Sequence, residues 1–446
     1  MKQALALLLS ILTLLSAASC SDSQTRTATS EAEAKTEETV PAVTEEEKSE
    51  EKTVYDPVAD PLTPERLAAI PIANSSMTTE ELRQICIDFV KLSVTFQWVP
   101  NMTFRYEAKQ NGGTPVTFKE GKLYGGIPYV NTASGNIYRI MEYYDCETGV
   151  LDTRFLEKNN LLFGTACSGT TGWGWNRVIN SCAPSWTYAL NASHGLIPVG
   201  PYEYDPTIVY FGEGGALDCT DIAAMNGVQV MYESYAASHK ADCMVSNGHV
   251  RMNGAEPVVV YKEDGTIDGK KSYIVQVEQG LFTTGSYHDR VSADGIPYEI
   301  QGNEGLNPDG SPYYYTFEQL YKKGYLPHTF KEFLGLDPVE EAEITVFEYE
   351  GETFTAKAGE LKDKRIEANY VISHTVTTVC DAQGNQKIRY IYRCHPHYTR
   401  KAMLEDCIPL KGIEQYQKAG GHTIKIEAQL GNGSRLVVYE GMLASE

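Results

Sequence analysis

A cysteine followed by small residues is the first candidate for chemistry in this sequence. Cys167-Ser168-Gly169 opens a segment that carries Trp173 and Trp175, and we predict a helix that begins near Cys167. A thiol at a helix N-terminus lies at the positive end of the helix dipole, which stabilises the thiolate. The small neighbours would also let a substrate carbonyl approach the sulfur. The pattern is typical of a cysteine nucleophile, and equally of a buried structural cysteine in a glycine-rich turn.

A histidine and a carboxylate follow on two predicted strands. His249 opens one alternating strand, and Glu278 lies in a second, after a turn at Gly265. If the two strands pair, Glu278 can accept the second imidazole N–H of His249 and stabilise the imidazolium. A register slip by one residue would put Gln279 in that place instead. Cysteine, histidine and an acid in this order predict acyl transfer through a thiol nucleophile, although His249 taken alone also fits a structural histidine.

The elements that must position these residues form an α+β region followed by a β-rich one. Thr78 and Glu81 form a capping-box pattern, and the apolar stripe after it predicts a helix to about Trp98. A short helix is also predicted over residues 329–334. From about residue 341, short alternating segments with glycine-containing turns predict an antiparallel β-sandwich. The predicted segments are a signal peptide at 1–20, a tether at 21–53, a helical segment at 54–114, a catalytic domain at 115–338 and the β-sandwich at 341–446.

The N-terminus predicts secretion. Lys2 precedes a short apolar run, Ala4–Leu15, which ends in small residues before Cys20. A short apolar run with a small-residue cleavage site is typical of a secretory signal peptide. Cys20 resembles the cysteine of a bacterial lipobox, which becomes the acylated N-terminus, although Ala17 stands where that pattern prefers leucine. We therefore predict an extracytoplasmic, membrane-anchored lipoprotein, with an ordinary signal peptide and an incidental cysteine as the alternative.

Composition and charge argue against a nucleic-acid partner. The formal net charge is -21, and residues 21–53 are rich in acidic and small polar side chains. Such a segment buries too little apolar surface to offset the entropy of ordering, so we predict a disordered, extended tether. No basic stripe is present, as a nucleic-acid surface would require. Removing Cys20 from the ten cysteines leaves an odd number, so at least one thiol would stay unpaired.

Four short motifs between about residues 120 and 280 occur in the order of a known family. Gly126-Ile127-Pro128-Tyr129 is similar to a Gly-x-Pro-Tyr loop upstream of a nucleophile, and Cys167-Ser168-Gly169 to the start of a nucleophile helix. Gly248-His249-Val250 is similar to a histidine strand, and Val277-Glu278 to a glutamate on the next strand. Together they resemble the papain-like peptidoglycan hydrolases of the NlpC type and their CHAP amidase relatives.

The resemblance implies a papain-like α+β core, in which a helix that carries the cysteine packs on an antiparallel sheet that carries the histidine. It implies that Cys167 is the nucleophile, His249 the base and Glu278 the orienting residue. Aromatic residues after the nucleophile could bind substrate or belong to the core. The residues predicted to line the substrate cleft are Tyr129, Ser168, Trp173 and Trp175.

The same resemblance implies the substrate and its alternatives. The family hydrolyses amide bonds in peptidoglycan peptides with neither metal nor organic cofactor, so the predicted partners are a cell-wall peptide and, through Cys20, the membrane. Ala166 replaces the aspartate that usually precedes the nucleophile, and the long interval from Cys167 to His249 implies an insertion around residues 182–225. Two alternatives stay open: a non-catalytic binding module with an inert Cys167, and a transglutaminase-like acyl transfer on the same scaffold.

Overall fold

The computed structural model describes most of the chain after residue 56. The described residues are 57–106, 116–130, 135–153, 164–180, 196–205, 218–247, 249–279, 289–291, 297–300, 302–306, 310–394 and 399–445. The predicted signal peptide and tether, including Cys20, lie outside them. Within these ranges, none of the helices is both long and apolar enough to cross a bilayer.

The described residues form helices together with several mainly antiparallel sheets, which confirms the predicted α+β class. The helices are α1 (Pro64–Ala68), α2 (Thr79–Thr95), α3 (Ile137–Met141), α4 (Cys167–Trp175), α5 (Cys219–Asn226), α6 (Val228–Ala236), α7 (Phe317–Lys322), α8 (Ala358–Leu361), α9 (Leu404–Cys407) and α10 (Leu410–Ala419). The strands as far as residue 330 are β1 (Gln97–Pro100), β2 (Phe104–Tyr106), β3 (Val116–Phe118), β4 (Tyr124–Gly125), β5 (Val150–Leu151), β6 (Leu196–Pro198), β7 (Cys243–Val245), β8 (Val250–Asn253), β9 (Tyr273–Gln279), β10 (Asp289–Val291), β11 (Pro297–Ile300), β12 (Gly302–Asn303), β13 (Tyr314–Thr316) and β14 (Leu326–Phe330). The later strands are β15 (Ile344–Phe347), β16 (Thr353–Phe354), β17 (Arg365–Ala368), β18 (Ile372–Cys380), β19 (Gln386–Arg393), β20 (Lys401–Met403), β21 (Thr423–Leu430) and β22 (Arg435–Leu443).

A seven-stranded antiparallel sheet organises the region that contains the candidate residues. Its order is β12-β9-β8-β7-β14-β6, and β13 also pairs with β9. Helices α2 and α4 pack on each other and on strand β9, and α4 also packs on β8. Because α4 begins at Cys167, β8 follows His249 directly and β9 contains Glu278, this packing brings three distant parts of the sequence together.

Helix α2 begins at the predicted capping box. The Glu81 backbone N–H donates to the Thr78 hydroxyl at 3.2 Å, and the Thr78 N–H donates to the Glu81 carboxylate at 2.8 Å. The prediction that this helix continues to about Trp98 is wrong, since β1 begins at Gln97. Trp98 pairs with β4 in the sheet, and its indole N–H donates to the Gly126 carbonyl at 2.8 Å. Tertiary pairing thus ends a helix that the apolar stripe would have extended.

The predicted helical segment 54–114 and catalytic domain 115–338 share one hydrophobic core. Buried residues from Leu62 to Val339 belong to a single cluster, which includes Phe89 on α2 and Trp175 on α4. Burial of apolar surface is the main favourable term in folding, so the helical segment contributes to the stability of the region that contains Cys167 and His249.

The C-terminal region has a second core. Its five-stranded sheet has the order β16-β22-β21-β18-β19, and a three-stranded sheet has the order β15-β17-β20. Buried residues from Phe354 to Leu443 form the cluster between these elements and helices α9 and α10. Strands β19 and β22 lie in the region where the sequence predicts short alternating segments.

Helix α3 connects the two regions through buried hydrogen bonds. The Arg139 side chain donates from Nε to the Ser373 carbonyl at 3.1 Å, and the Asn136 amide donates to the Ser373 hydroxyl at 3.0 Å. The Tyr138 hydroxyl donates to the Gly431 carbonyl at 3.3 Å. The C-terminal sheet is therefore attached to the preceding region by directed contacts as well as by apolar packing.

Strand β14 includes the first two residues of the short helix predicted over residues 329–334, so that prediction is wrong for Thr329 and Phe330. It pairs with β7 on one side and β6 on the other, and all five of its residues are buried. The last three residues of the predicted helix, Glu332–Leu334, form a 3-10 helix. Pairing on both edges satisfies the backbone of this segment within the sheet.

His328 on β14 makes the folded state sensitive to acid. Its ring is fully buried, with Nδ1 3.1 Å from the Leu326 carbonyl oxygen and Nε2 3.1 Å from the Tyr202 hydroxyl. Burial lowers the pKa of His328 to about 4, from an ordinary value of 6.5. The unfolded chain therefore binds this proton more tightly. The resulting contribution to folding is complete above pH 6.5 and is lost as the pH falls towards 4.

We expect His328 to account for about 3 kcal/mol of the free energy of unfolding lost between pH 6.5 and pH 4. Urea unfolding of wild type and His328→Gln across that window measures it, and the difference between the two should shrink as the pH falls. His239→Gln, which changes an exposed histidine, is the control and should follow the wild-type slope. Identical slopes for wild type and His328→Gln would contradict the assignment.

Candidate active site

Helix α4 places Cys167 at its first residue. Ala166 precedes the helix in an extended conformation and provides no side-chain cap. An upstream loop fixes this entry, since the Thr165 N–H donates to the Pro128 carbonyl and the Val130 N–H donates to the Thr165 carbonyl, each at 2.9 Å. The Gly-x-Pro-Tyr loop and the cysteine helix are therefore neighbours, and Cys167 is buried with 4% of its surface exposed.

The surroundings of the Cys167 sulfur favour the thiolate. Burial opposes ionisation and is the largest single effect, but the charge and hydrogen bond of His249 outweigh it with the help of the Val250 and Ser168 N–H groups. The net result is that the pKa of Cys167 is lowered from its ordinary value of 9.0. The N-terminus of α4 acts in the same direction.

Cys167 differs in this respect from other cysteines of the chain. The described cysteines are free thiols. Burial raises the pKa of Cys86, Cys146, Cys219, Cys243, Cys394 and Cys407. Reactivity follows the thiolate rather than the thiol, so Cys167 has the environment of a nucleophile and these six have that of structural thiols.

His249 lies between Cys167 and Glu278. The tight connection from β7 to β8 holds it, because the Ser246 N–H donates to the His249 carbonyl at 2.9 Å. His249 Nε2 forms an ion pair with Glu278 Oε2, which leaves Nδ1 for the sulfur. Burial lowers the pKa of His249, but the charges of Cys167 and Glu278 more than reverse this and raise it to about 9. The ring is therefore an imidazolium at neutral pH, and 23% of its side chain is exposed.

The pairing of β8 with β9 explains how Glu278 reaches this position. Met252 pairs with Val277, so the antiparallel register places Arg251 opposite Glu278. Alternation along β8 then directs His249 and Arg251 to the same side of the sheet. Both therefore project towards the Glu278 side chain.

Glu278 is an ionised carboxylate. Arg251 Nε lies 2.9 Å from Glu278 Oε2, and the Tyr313 hydroxyl donates to Oε1 at 2.6 Å. Burial raises the pKa of Glu278, but the charges of Arg251 and His249 and the hydrogen bonds of His249 and Tyr313 lower it to about 2. The carboxylate can therefore stabilise the imidazolium over the whole range in which proteins normally function.

Gln279 is not the partner of His249. It projects to the opposite face of β9 from Glu278, and its amide donates to the Ile127 carbonyl at 2.6 Å. This contact joins the sheet to the Gly-x-Pro-Tyr loop. The sequence allowed either Glu278 or Gln279 to lie beside His249. In the structure, Glu278 occupies that position.

Tyr129 and Ser168 are the two predicted cleft residues that lie beside the Cys167 segment. Tyr129 forms a β-bridge with Thr165, two residues before the cysteine, and Ser168 is the second residue of α4. Each is 8% exposed. Both residues are placed where they could line the site beside Cys167. Their contact with substrate stays a prediction.

The prediction that Trp173 and Trp175 bind substrate is wrong for the folded chain. They are 1% and 0% exposed. The Trp175 indole donates to the Ala241 carbonyl at 2.8 Å, and its ring packs 5.3 Å from that of Phe330. Both tryptophans belong to the core that supports α4, which is the alternative that the sequence left open.

Three residues near Glu278 were not anticipated from the sequence. Arg251, Tyr313 and Tyr315 form a connected group, since the Arg251 guanidinium also donates to the Tyr315 hydroxyl at 2.9 Å. A signal for Arg251 was available, because it lies two residues after His249 on an alternating strand and so shares its face. No local pattern connects the Tyr313–Tyr315 segment with Glu278, because that contact depends on β13 pairing with β9.

Comparisons of the chain with protein-family models, curated proteins and solved structures find no match. Within the described ranges, no group of three or more His, Cys, Asp or Glu side chains is placed to hold a metal ion.

Proposed function

We propose that this chain is a cell-envelope cysteine hydrolase that cleaves amide bonds in peptidoglycan peptides. The observation that carries the proposal is the continuous chain of contacts from Cys167 through His249 to Glu278. It combines a sulfur whose pKa is lowered with an imidazole whose pKa is raised to about 9, as a thiolate–imidazolium pair requires. The peptidoglycan substrate follows from the resemblance of the four motifs to the NlpC and CHAP families.

The proposed reaction uses only side chains and water. The Cys167 thiolate attacks the amide carbonyl carbon, and the backbone N–H of Cys167 is a natural donor to the oxyanion at the helix start. The His249 imidazolium gives its proton to the leaving amine as the C–N bond breaks, which leaves a thioester on the sulfur. Neutral His249 then takes a proton from water, whose oxygen attacks the thioester and releases the acid. The thiolate and imidazolium are thereby restored.

We propose a papain-like core in which α4 supplies the cysteine and the antiparallel sheet supplies the histidine and glutamate. The antiparallel order β9-β8-β7 and the packing of α4 on β8 and β9 support it. We further propose that the C-terminal region is a β-sandwich and that Cys20 is the lipid attachment site of an extracytoplasmic protein.

The burial of Cys167 favours a second candidate function, a non-catalytic surface binding module. Only 4% of this residue is exposed, which limits the approach of a peptide carbonyl. In that case the Cys–His–Glu group would be a buried structural network. The two candidates differ in product formation, because a binding module would retain peptidoglycan fragments without cleaving them.

Digestion of purified peptidoglycan with the full chain tests the proposed function. Mass spectrometry should detect free acid and amine ends from hydrolysed amides, and Cys167→Ala should abolish them. Cys146→Ala changes a partly exposed cysteine outside the site and should cleave at the wild-type rate. Binding without cleavage by wild type would favour the binding module. Products joined to an added amine instead of water would indicate transglutaminase-like acyl transfer.

We expect hydrolysis to lose activity above about pH 9. The pKa of His249 is raised to about 9, so the imidazolium that protonates the leaving amine is present below that pH and disappears above it. Glu278 stays ionised down to about pH 2, so the acid side of the profile reports formation of the Cys167–His249 pair. The pH dependence of kcat/KM, which reports the groups of the free enzyme, measures this. A loss of activity centred near the ordinary histidine value of 6.5 would contradict it.

A further inference from the structure

Glu278 is held by three side chains at once. His249 Nε2 and Arg251 Nε both contact Oε2, the latter at 2.9 Å, and the Tyr313 hydroxyl donates to Oε1 at 2.6 Å. The side chains of Glu278 and Arg251 are 5% and 6% exposed. Little water therefore competes for these contacts, and each carboxylate oxygen has a protein partner.

Arg251 is itself fixed by two aromatic rings. Its guanidinium carbon lies 3.7 Å from the ring centroid of Tyr315 and 4.9 Å from that of Tyr325. Its Nη2 donates to the Tyr315 hydroxyl at 2.9 Å. A planar guanidinium in contact with aromatic faces has little rotational freedom, so the group that contacts Glu278 is rigid.

Resting on the proposed function, we propose that Arg251 and Tyr313 are positioning residues that hold Glu278 where it orients His249. Arg251 has a second effect, because it shares the negative charge that Glu278 offers to the imidazolium. A carboxylate shared with a guanidinium binds the histidine proton less strongly than an unshared one. Arg251 thus allows His249 to release its proton to the leaving amine while keeping the ring in place.

The titratable and charged groups that face His249 and Glu278 come from several elements. Among the described residues, Cys167 projects from α4 and Arg251 from β8, and three phenols lie beside Glu278 and Arg251. These phenols are Tyr313, Tyr315 and Tyr325. Arg251 is the one permanent cation among these groups, so its removal should raise the pH at which His249 titrates.

A titration of the His249 ring tests the role of Arg251 without any substrate. The full chain is labelled with carbon-13 at histidine Cε1, His249→Gln assigns the signal, and NMR follows it against pH. We expect Arg251→Met to move the His249 titration upward by about one pH unit, and Arg251→Lys to stay close to wild type because it keeps a cation. Tyr313→Phe should lower kcat by about 10-fold with KM unchanged, since a freed carboxylate orients the ring less well.

Two matched variants separate positioning from simple stability. Arg83→Met removes another buried ion pair, Arg83–Asp242. It should destabilise the fold without changing the pH at which His249 titrates. Tyr314→Phe makes the same change as Tyr313→Phe at a neighbouring residue that is 46% exposed, and should leave kcat unchanged. If His249 titrates near 9 in both wild type and Arg251→Met, the positioning role is overturned while the proposed function stands. A Tyr313→Phe enzyme with wild-type kcat has the same consequence. A wild-type titration near 6.5 overturns the proposed function as well. If Arg251→Met does not fold, Tyr313→Phe alone decides.

Discussion

Replacement of His249 by glutamine is expected to lower kcat for amide hydrolysis by about 1,000-fold. Glutamine can neither give a proton to the leaving amine nor take one from water, so both halves of the reaction lose their acid–base group. The same change removes the charge and hydrogen bond that lower the pKa of Cys167, so the thiolate fraction at neutral pH should also fall. Steady-state hydrolysis of an amide-linked stem peptide measures the first effect, and absorbance of the thiolate measures the second.

His239→Gln is the matched control for this experiment. His239 is a histidine of the same region whose side chain is 60% exposed and pairs with Glu256. Its replacement should leave both kcat and the Cys167 titration unchanged. If His249→Gln retained the wild-type rate, His249 would have no part in catalysis and its pairing with Cys167 would be structural.

Replacement of Glu278 by glutamine is expected to damage both activity and stability. The amide keeps the size of the side chain but carries no charge, so the imidazolium of His249 loses its stabilising partner. We expect kcat to fall by about 100-fold. The change also leaves Arg251, with 6% of its side chain exposed, without its counter-charge. We therefore expect the free energy of unfolding to fall by about 3 kcal/mol, as measured by urea titration.

Glu332→Gln distinguishes this result from a general effect of a buried carboxyl group. Glu332 is 8% exposed, and burial raises its pKa, so it holds a proton more readily than Glu278. Its replacement should change neither kcat nor stability to a comparable extent. A Glu278→Gln protein with wild-type activity would remove Glu278 from the proposed mechanism.

The strands of His249 and Glu278 could be predicted because their signals are local, whereas the meeting of Cys167, His249 and Glu278 was implied by the resemblance of the motifs and their order. Two alternating segments joined by a turn indicate paired strands, and Cys167-Ser168-Gly169 resembles the start of a nucleophile helix. Even the choice between Glu278 and Gln279 depends on one register, which the pairing of Met252 with Val277 decides. Alternation could also have identified Arg251, since it shares a face with His249.

The remaining features depend on contacts between distant segments. Tyr313 reaches Glu278 only because β13 lies beside β9, and a sequence of three consecutive tyrosines does not indicate which neighbour it will meet. Trp173 and Trp175 are core residues because α2, β8 and β9 surround α4, whereas their composition alone fits a binding surface equally well. The apolar stripe of α2 likewise continues to Trp98, but pairing of β1 with β4 ends the helix earlier.

Site-resolved alkylation tests the proposed thiolate most directly. The full chain is treated briefly with iodoacetamide at pH values well below 9.0, and mass spectrometry measures the rate at Cys167 and at Cys146. Cys146 is the more exposed thiol but its pKa is raised, whereas Cys167 is buried and its pKa is lowered. We expect faster modification of Cys167 than of Cys146 in the wild type, and slow modification of Cys167 after His249→Gln. Faster modification of Cys146, with Cys167 reacting only on unfolding, would contradict it.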